Sequence, residues 1–149
     1  MLFSHQLADQ TGVMIWEDFM FACSMYPATD SFLNNVRKEV ETQVKRLQYH
    51  AGLGIWATNN ENEAALRGNW YGTAANFNVY KEDYVKLYID TIKNYVEHLD
   101  ESRACLPSSP TNGKKSGEEG WVAQDPYDKR YGDGRWFISA TLAAVIECD

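Results

Sequence analysis

Two short apolar runs, each closed by polar residues and each followed by a stretch of helical periodicity, constrain this chain most. Residues 13–16 form the first run and meet Glu17 and Asp18. After a loop containing Pro27, with Thr29 or Asp30 as candidate helix N-caps, Leu33, Val36, Val40, Val44 and Leu47 recur three or four residues apart. Arg37, Lys38, Glu39, Glu41 and Lys45 fill the gaps, which is the pattern of an amphipathic helix with one buried stripe. The second run, residues 53–58, ends in the polar cluster Asn59, Asn60, Glu61, Asn62 and Glu63. A second helix follows from Val85, Ile89, Ile92, Val96 and Leu99, entered through Lys81, Glu82 and Asp83, and a third strand is expected at residues 104–106. The order strand, helix, strand, helix, strand argues for βα units on a parallel sheet. The unbroken apolar character of residues 13–16 predicts a strand covered on both faces.

Polar residues at the C-terminal ends of strands occupy the place where (β/α)₈ barrels carry their sites, but such a barrel needs eight strands over about 250 residues. This chain has 149 residues and supplies three strands and two full helices. It therefore reads either as a small three-layer domain or as a cut-out from a barrel. Residues 107–135 are rich in Gly, Ser, Pro, Lys and Asp and read as one long loop. The segment after Asp133 turns apolar without continuing the preceding rhythm.

Composition narrows the partners. Hydrophobic residues make up 44% and charged residues 23%, as expected of a folded domain. The net charge is -7, with no block of Lys and Arg able to neutralise phosphates, so nucleic acid is not an expected partner. No apolar run approaches the roughly 18 residues needed to cross a membrane, and the first residues do not have the pattern of a secretory signal. Cys23, Cys105 and Cys148 are too few and too scattered for a disulfide framework or a metal cluster and read as small buried residues. His5, His50 and His98 lack metal-ligand spacing and read as surface residues. No metal or cofactor is expected. Aromatics reach 13%, and their flat rings suit sugar faces as well as a core.

The segment that carries chemistry is IWATNNENEAALRGNW. Trp56-Ala57-Thr58-Asn59-Asn60-Glu61 resembles the fourth-strand signature of family 2 glycoside hydrolases, where a strand Trp precedes the acid/base Glu by five residues. That spacing, shared by β-galactosidase- and β-glucuronidase-type members, selects Glu61 over Glu63, with Asn60 as its amide partner. GVMIWEDFMFACSMYP resembles the third-strand segment of the β-mannosidase members, with Glu17 in place of a more usual Gln, and NNENEAAL and SSPTNG resemble further β-mannosidase segments. The resemblance runs from about Leu7 to Asp133.

The resemblance implies a truncated α/β fold: about strands three to five of a (β/α)₈ TIM barrel over residues 1–133, followed by a divergent tail at 134–149. It implies a retaining hydrolase that removes terminal, non-reducing β-D-mannose from oligosaccharides, and a lysosomal location as in animal members. Glu61 would protonate the departing oxygen and later activate water, for which its pKa must be raised. The family's second carboxylate, a Glu in a Ser-Glu-Tyr-Gly-like strand, has no counterpart in these residues. An inactive truncated product is the alternative, and a β-galactosidase- or β-glucuronidase-type relative is a third reading.

Other residues stay between two readings. Asp18 is a substrate contact or a structural hydrogen-bond acceptor. Trp70 is part of a sugar-stacking wall or of the core, and Trp121 is open. Glu63 is expected to sit in a first helical turn, favoured by the helix dipole. Trp16 and Trp56 lie within strand runs and read as core.

Overall fold

The computed structural model describes residues 2–132. Helix α1 (Leu2–Thr11) precedes strand β1 (Ile15–Asp18), helix α2 (Asp30–Leu47) and strand β2 (Leu53–Ala57). Helix α3 (Asn62–Arg67) and a 3₁₀ turn at Thr73–Asn76 lead into helix α4 (Phe77–Tyr84). That helix continues through a π-helical segment, Val85–Lys93, into helix α5 (Asn94–Leu99). Strand β3 (Cys105–Leu106) and helix α6 (Lys114–Glu118) follow. The strands form one parallel sheet in the order β1-β2-β3.

The predicted α/β organisation is therefore present as a small parallel sheet with helical crossovers. Helix α2 buries Leu33, Val36, Val40, Val44 and Leu47, the five residues whose spacing predicts its inner stripe. The second helix starts at Phe77, earlier than Lys81, and Leu87, Ile89, Ile92 and Val96 join the same core. Both stripes converge on Trp56, fully buried at the centre of β2 and stacked on Phe19 at 5.6 Å.

Four expectations need correction. The first strand begins at Ile15, because Val13 and Met14 are 51% and 77% exposed. Among the described residues it is an edge strand, only half-buried along Ile15–Glu17 and exposed at Asp18, not a strand covered on both faces. The stretch predicted as one long loop holds α6, and Pro107–Asn112 together with Ser116, Val122 and Ala123 are buried; its Gly, Ser and Pro content serves tight packing against the sheet. Cys23 is half-buried rather than fully buried, whereas Cys105 is buried and its thiol is pushed up to about 12 by that burial. The divergent tail, with Cys148, lies outside the described residues.

Two histidines are also misplaced by the sequence reading. His5 and His50 are 4% and 1% exposed, whereas His98 is at the surface as expected. His50 Nδ1 lies 2.6 Å from Asp9 Oδ2, His5 Nε2 lies 3.1 Å from Glu17 Oε2, and the two rings are 5.1 Å apart. Asp9 also accepts the Gly52 N–H at 2.7 Å. Burial pushes the Glu17 carboxyl up, against the pull of His5 beside it. The carboxylates that make burial of these imidazoles tolerable come from α1 and β1, far away in sequence, so no local spacing announces them.

A second polar hub closes the N-terminal end of the sheet. Asp100 Oδ2 accepts the Trp56 indole N–H at 2.9 Å and an Arg103 N–H at 3.0 Å. Asp100 Oδ1 accepts from the Ser102 backbone N–H and hydroxyl. Arg103 also donates to the carbonyls of Leu53 and His50. Burial raises the Asp100 pKa, but the bonds from Ser102, Trp56 and Arg103 outweigh it and the carboxyl titrates below its ordinary value. A depressed folded pKa contributes stability that is present above the unfolded value of about 3.9 and is lost as pH falls through the folded one. Asp100→Asn should therefore cost about 2–3 kcal/mol in urea unfolding at pH 7. The deficit should shrink as pH falls through the folded pKa of Asp100; a deficit independent of pH would show that shape rather than charge matters there.

Candidate active site

The sheet does not stop where its regular strands do. Beyond β1 and β2, Phe19 N–H donates to Ala57 O (3.0 Å), Asn60 N–H to Phe21 O (2.8 Å) and Cys23 N–H to Asn60 O (3.0 Å). On the other flank Thr58 N–H reaches Leu106 O (3.0 Å), Ser109 N–H reaches Asn59 O (3.0 Å) and Glu61 N–H reaches Ser109 O (2.8 Å). Ala22, Asn60 and Ser109 thus form a parallel row across the C-terminal mouth of the sheet.

At that row the backbone turns sharply. Cys23 (φ 44°) and Glu61 (φ 62°, ψ 5°) both occupy the left-handed region, which is strained for residues with a Cβ. Such strain is more common at functional sites than elsewhere, because surrounding structure must hold it. Glu61 is 3% exposed, and its Oε2 lies 3.6 Å from Cys23 Sγ. The residue therefore presents a buried carboxylate at the mouth, next to the first turn of α3.

Neighbouring amides fix this turn. Asn59, fully buried, accepts from the Asn62 N–H (3.1 Å) and the Ser108 hydroxyl (2.8 Å) through Oδ1 and donates to Pro107 O (3.0 Å). Asn62 accepts the Ser24 N–H at 3.0 Å and donates to the Tyr88 hydroxyl at 2.5 Å. Tyr88 belongs to the π-helical segment, a distortion often found near functional sites. Asn60, half-buried, has Nδ2 3.6 Å from Cys23 Sγ. Sequence reasoning singled out Asn60 and passed over Asn59, Asn62 and Tyr88. The run Asn-Asn-Glu-Asn is the available signal, since four hydrogen-bonding side chains directly after an apolar strand must be satisfied within the fold.

The remaining sequence-predicted residues separate. Asp18 pairs in register with Ala57, three residues before Asn60, so it lies on the order of 10 Å below the mouth at about 3.3 Å per residue. Its Oδ1 accepts the Trp16 indole N–H at 2.9 Å, and it lines the groove between β1 and α2 rather than the space beside Glu61. Trp70 is 43% exposed in the turn after α3, where its ring packs over Gly68. The next residue, Tyr71, donates its hydroxyl to Cys23 O, so this turn reaches the mouth and places Trp70 at its rim. Glu63 stands in the first turn of α3 as predicted, but fully buried. Trp121 packs on Gly117 as part of the core periphery.

Among the described residues, no group of three or more His, Cys, Asp or Glu could hold a metal ion, and no helix is long and apolar enough to cross a membrane.

No protein-family model matches this chain. Curated relatives do. The β-mannosidase of Capra hircus is 46% identical over 134 residues, covering 89% of this chain and 15% of that protein. The β-mannosidase of Rattus norvegicus is 48% identical over the same length, and a probable β-mannosidase of Caenorhabditis elegans is 39% identical over 132 residues, covering 87% of this chain and 14% of that protein. Among solved structures, the β-D-mannosidase of Dictyoglomus thermophilum superposes with a TM-score of 0.72 at 35% identity, over 90% of this chain and 15% of that one. Sequence and structure thus agree that about nine tenths of this chain is homologous to one segment of the β-mannosidases, a segment spanning about 15% of their length.

Proposed function

We propose that residues 1–133 are part of the catalytic barrel of a retaining β-mannoside hydrolase, with β1, β2 and β3 as its third, fourth and fifth strands and residues 134–149 as a divergent tail. In this reading Glu61 is the acid/base that releases terminal, non-reducing β-D-mannose from oligosaccharides. The supporting observation is the buried Glu61 carboxylate, held in a left-handed turn at the C-terminal mouth of a parallel sheet. Similarity to β-mannosidases over nine tenths of the chain supports the choice of sugar, and the lysosomal setting rests on the family resemblance alone.

The geometry suits the first half of such a reaction. The oxygen of a natural glycoside is a poor leaving group and departs with proton donation, so the acid/base must be able to carry a proton to it. The same group then takes a proton from water as the covalent glycosyl intermediate breaks down. Asn60, next to Glu61 and bridged to Ala22 and Ser109 on the mouth row, would donate its amide to a sugar hydroxyl beside the reacting carbon. Trp70, half exposed at the rim, offers a ring face to the substrate.

An unfinished edge supports the barrel reading. Among the described residues, strand β1 has a pairing neighbour on one side only. Between β1 and α2 lies a groove of about 180 Å³ lined by Phe19, Phe21, Val36, Val40 and Trp56, with Glu17 and Arg46 also on its wall. A preceding βα unit packed there would fill this groove and pair the free edge.

Two outcomes follow. The 149-residue chain should not hydrolyse an aryl β-mannoside above background, because the two carboxylates of such a site act as a unit and the second is absent from this sequence. Turnover that vanishes on Glu61→Gln would show that another carboxylate within these residues serves as nucleophile. The role of Glu61 itself is tested in a form that carries the whole barrel. Glu61→Ala should slow natural mannosides on the order of 10²–10⁴-fold, affect activated aryl mannosides much less in the first step, and be rescued by azide as a β-glycosyl azide. If Glu63→Ala shows azide rescue and Glu61→Ala does not, the acid/base has been placed on the wrong residue.

A further inference from the structure

We propose that Glu63 is a positioning residue for Glu61: together with Arg67 it grips one peptide unit after α6, and this grip holds α3 and the left-handed turn from which α3 starts. The inference rests on the reading of Glu61 as the reacting carboxylate.

Glu63 is fully buried, and its Oε1 accepts the Ala123 N–H at 2.8 Å and the Ser116 hydroxyl at 2.9 Å. One turn further along α3, Arg67 donates to Val122 O at 2.9 Å and to Ala123 O at 2.7 Å. Val122 C=O and Ala123 N–H belong to the same peptide group. A carboxylate therefore meets its N–H end while a guanidinium meets its C=O end, and the separation of the two side chains on α3, four residues apart, sets the match. Both gripped residues are fully buried. Recognition is of backbone alone, so it is independent of the side chains at these two positions.

The need for such a grip comes from what α3 is. It has six residues, Glu61 gives it no side-chain cap, and a helix that short does not persist in water without tertiary anchors. Its first hydrogen bond runs from Ala65 N–H to Glu61 O at 2.7 Å, while Glu61 N–H is held by Ser109 O. The Glu61 peptide groups are thus pinned on one side by the sheet and on the other by α3. Any shift of α3 acts directly on the strained dihedrals of Glu61 and on where its carboxylate points. Asn62 anchors the same turn to Ser24 and Tyr88, and Glu63 with Arg67 anchors the opposite face.

The test uses the 149-residue chain, with amide exchange read at Ala123 and Ala65 and the Glu61 side-chain carboxyl followed by ¹³C titration. Glu63→Leu keeps the volume and removes the acceptor; Glu63→Gln keeps an acceptor oxygen. Both remove the same charge, so the difference between them isolates the hydrogen bonds. Leu should speed exchange at Ala123 and at Ala65 by about ten-fold or more, as local opening becomes easier, and should move the Glu61 titration midpoint away from that of the Gln variant. Gln should stay within about three-fold of the parent at both amides. Should Glu63→Leu fail to fold, Ser116→Ala, which removes one of the two donors, should still speed Ala65. The proposal is overturned if Ala123 opens in either disruptive variant while Ala65 exchange stays at the parent rate, or if the Leu and Gln variants share one Glu61 midpoint. Because the acid/base assignment is read on a different substitution, Glu61→Ala, a failure of the grip is distinguished from a failure of that assignment.

Discussion

The peptide groups of Asn60 bond to the Phe21–Cys23 segment in both directions, donating to Phe21 O and accepting from Cys23 N–H, while the flanking Asn59 and Glu61 peptides bond to Ser109. Everything at the mouth depends on this doubly bonded middle strand. Parallel pairing supplies evenly spaced bonds on both edges of a central strand, so β2 is held in register from Leu53 to the turn at Glu61 with no freedom to slide. The left-handed conformation of Glu61 costs roughly 1–2 kcal/mol and persists because the ladder fixes its N–H and α3 fixes its C=O. A carboxylate on a flexible loop would have neither constraint.

The legible parts of the chain are those where burial alone decides the pattern. Five apolar residues on α2 announce a helix because each occupies one stripe, and all five are buried. Trp56 and the residues after it announce β2 for the same reason. What escaped sequence reading is held by polar pairs distant in sequence. Helix α1 has only weak amphipathic character, and its inward face is set by Asp9 meeting His50 and by His5 meeting Glu17, partners separated by 41 and 12 residues. Residues 107–135 look like a loop because they are rich in Gly, Ser, Pro, Lys and Asp, yet Ser108, Thr111, Asn112 and Ser116 are buried with hydrogen bonds to one another and to the sheet. Composition cannot tell a solvated polar run from one whose groups are satisfied internally.

The site divides along the same line. Glu61 is singled out by a family resemblance in which a strand Trp precedes a Glu by five residues, and in this fold the same spacing brings it to the turn just after the mouth row. Asp18 fails the same reasoning: β1 continues irregularly from Phe19 to Ala22 before it reaches the mouth row, so the end of the apolar run is not the end of the strand. Ala22 and Cys23, not Asp18, lie level with Asn60 and Glu61. Of the acidic residues that close the run, Asp18 is exposed at the end of β1 and Glu17 is half-buried beside His5.

Stability and strain sit at opposite ends of this sheet. At the N-terminal end, Asp100, Arg103, Asp9 and His50 satisfy indole, carbonyl and amide groups with unstrained backbone around them. At the C-terminal end, the two strand exits are Cys23 and Glu61, both with positive φ, and buried amides crowd beneath them. Groups at the first end can relax only by unfolding the core, since Trp56 is fully buried between the two helical stripes. Groups at the second end can relax by local turns of the backbone, and only the ladder, Asn62 and the α3 anchors oppose that. Damage at the Asp100 end should therefore lower global stability with the mouth geometry intact, whereas damage to the anchors of α3 should loosen Glu61 with little change in the core. This separation lets a rigid parallel sheet carry an energetically unfavourable turn at Glu61 without weakening the core beneath it.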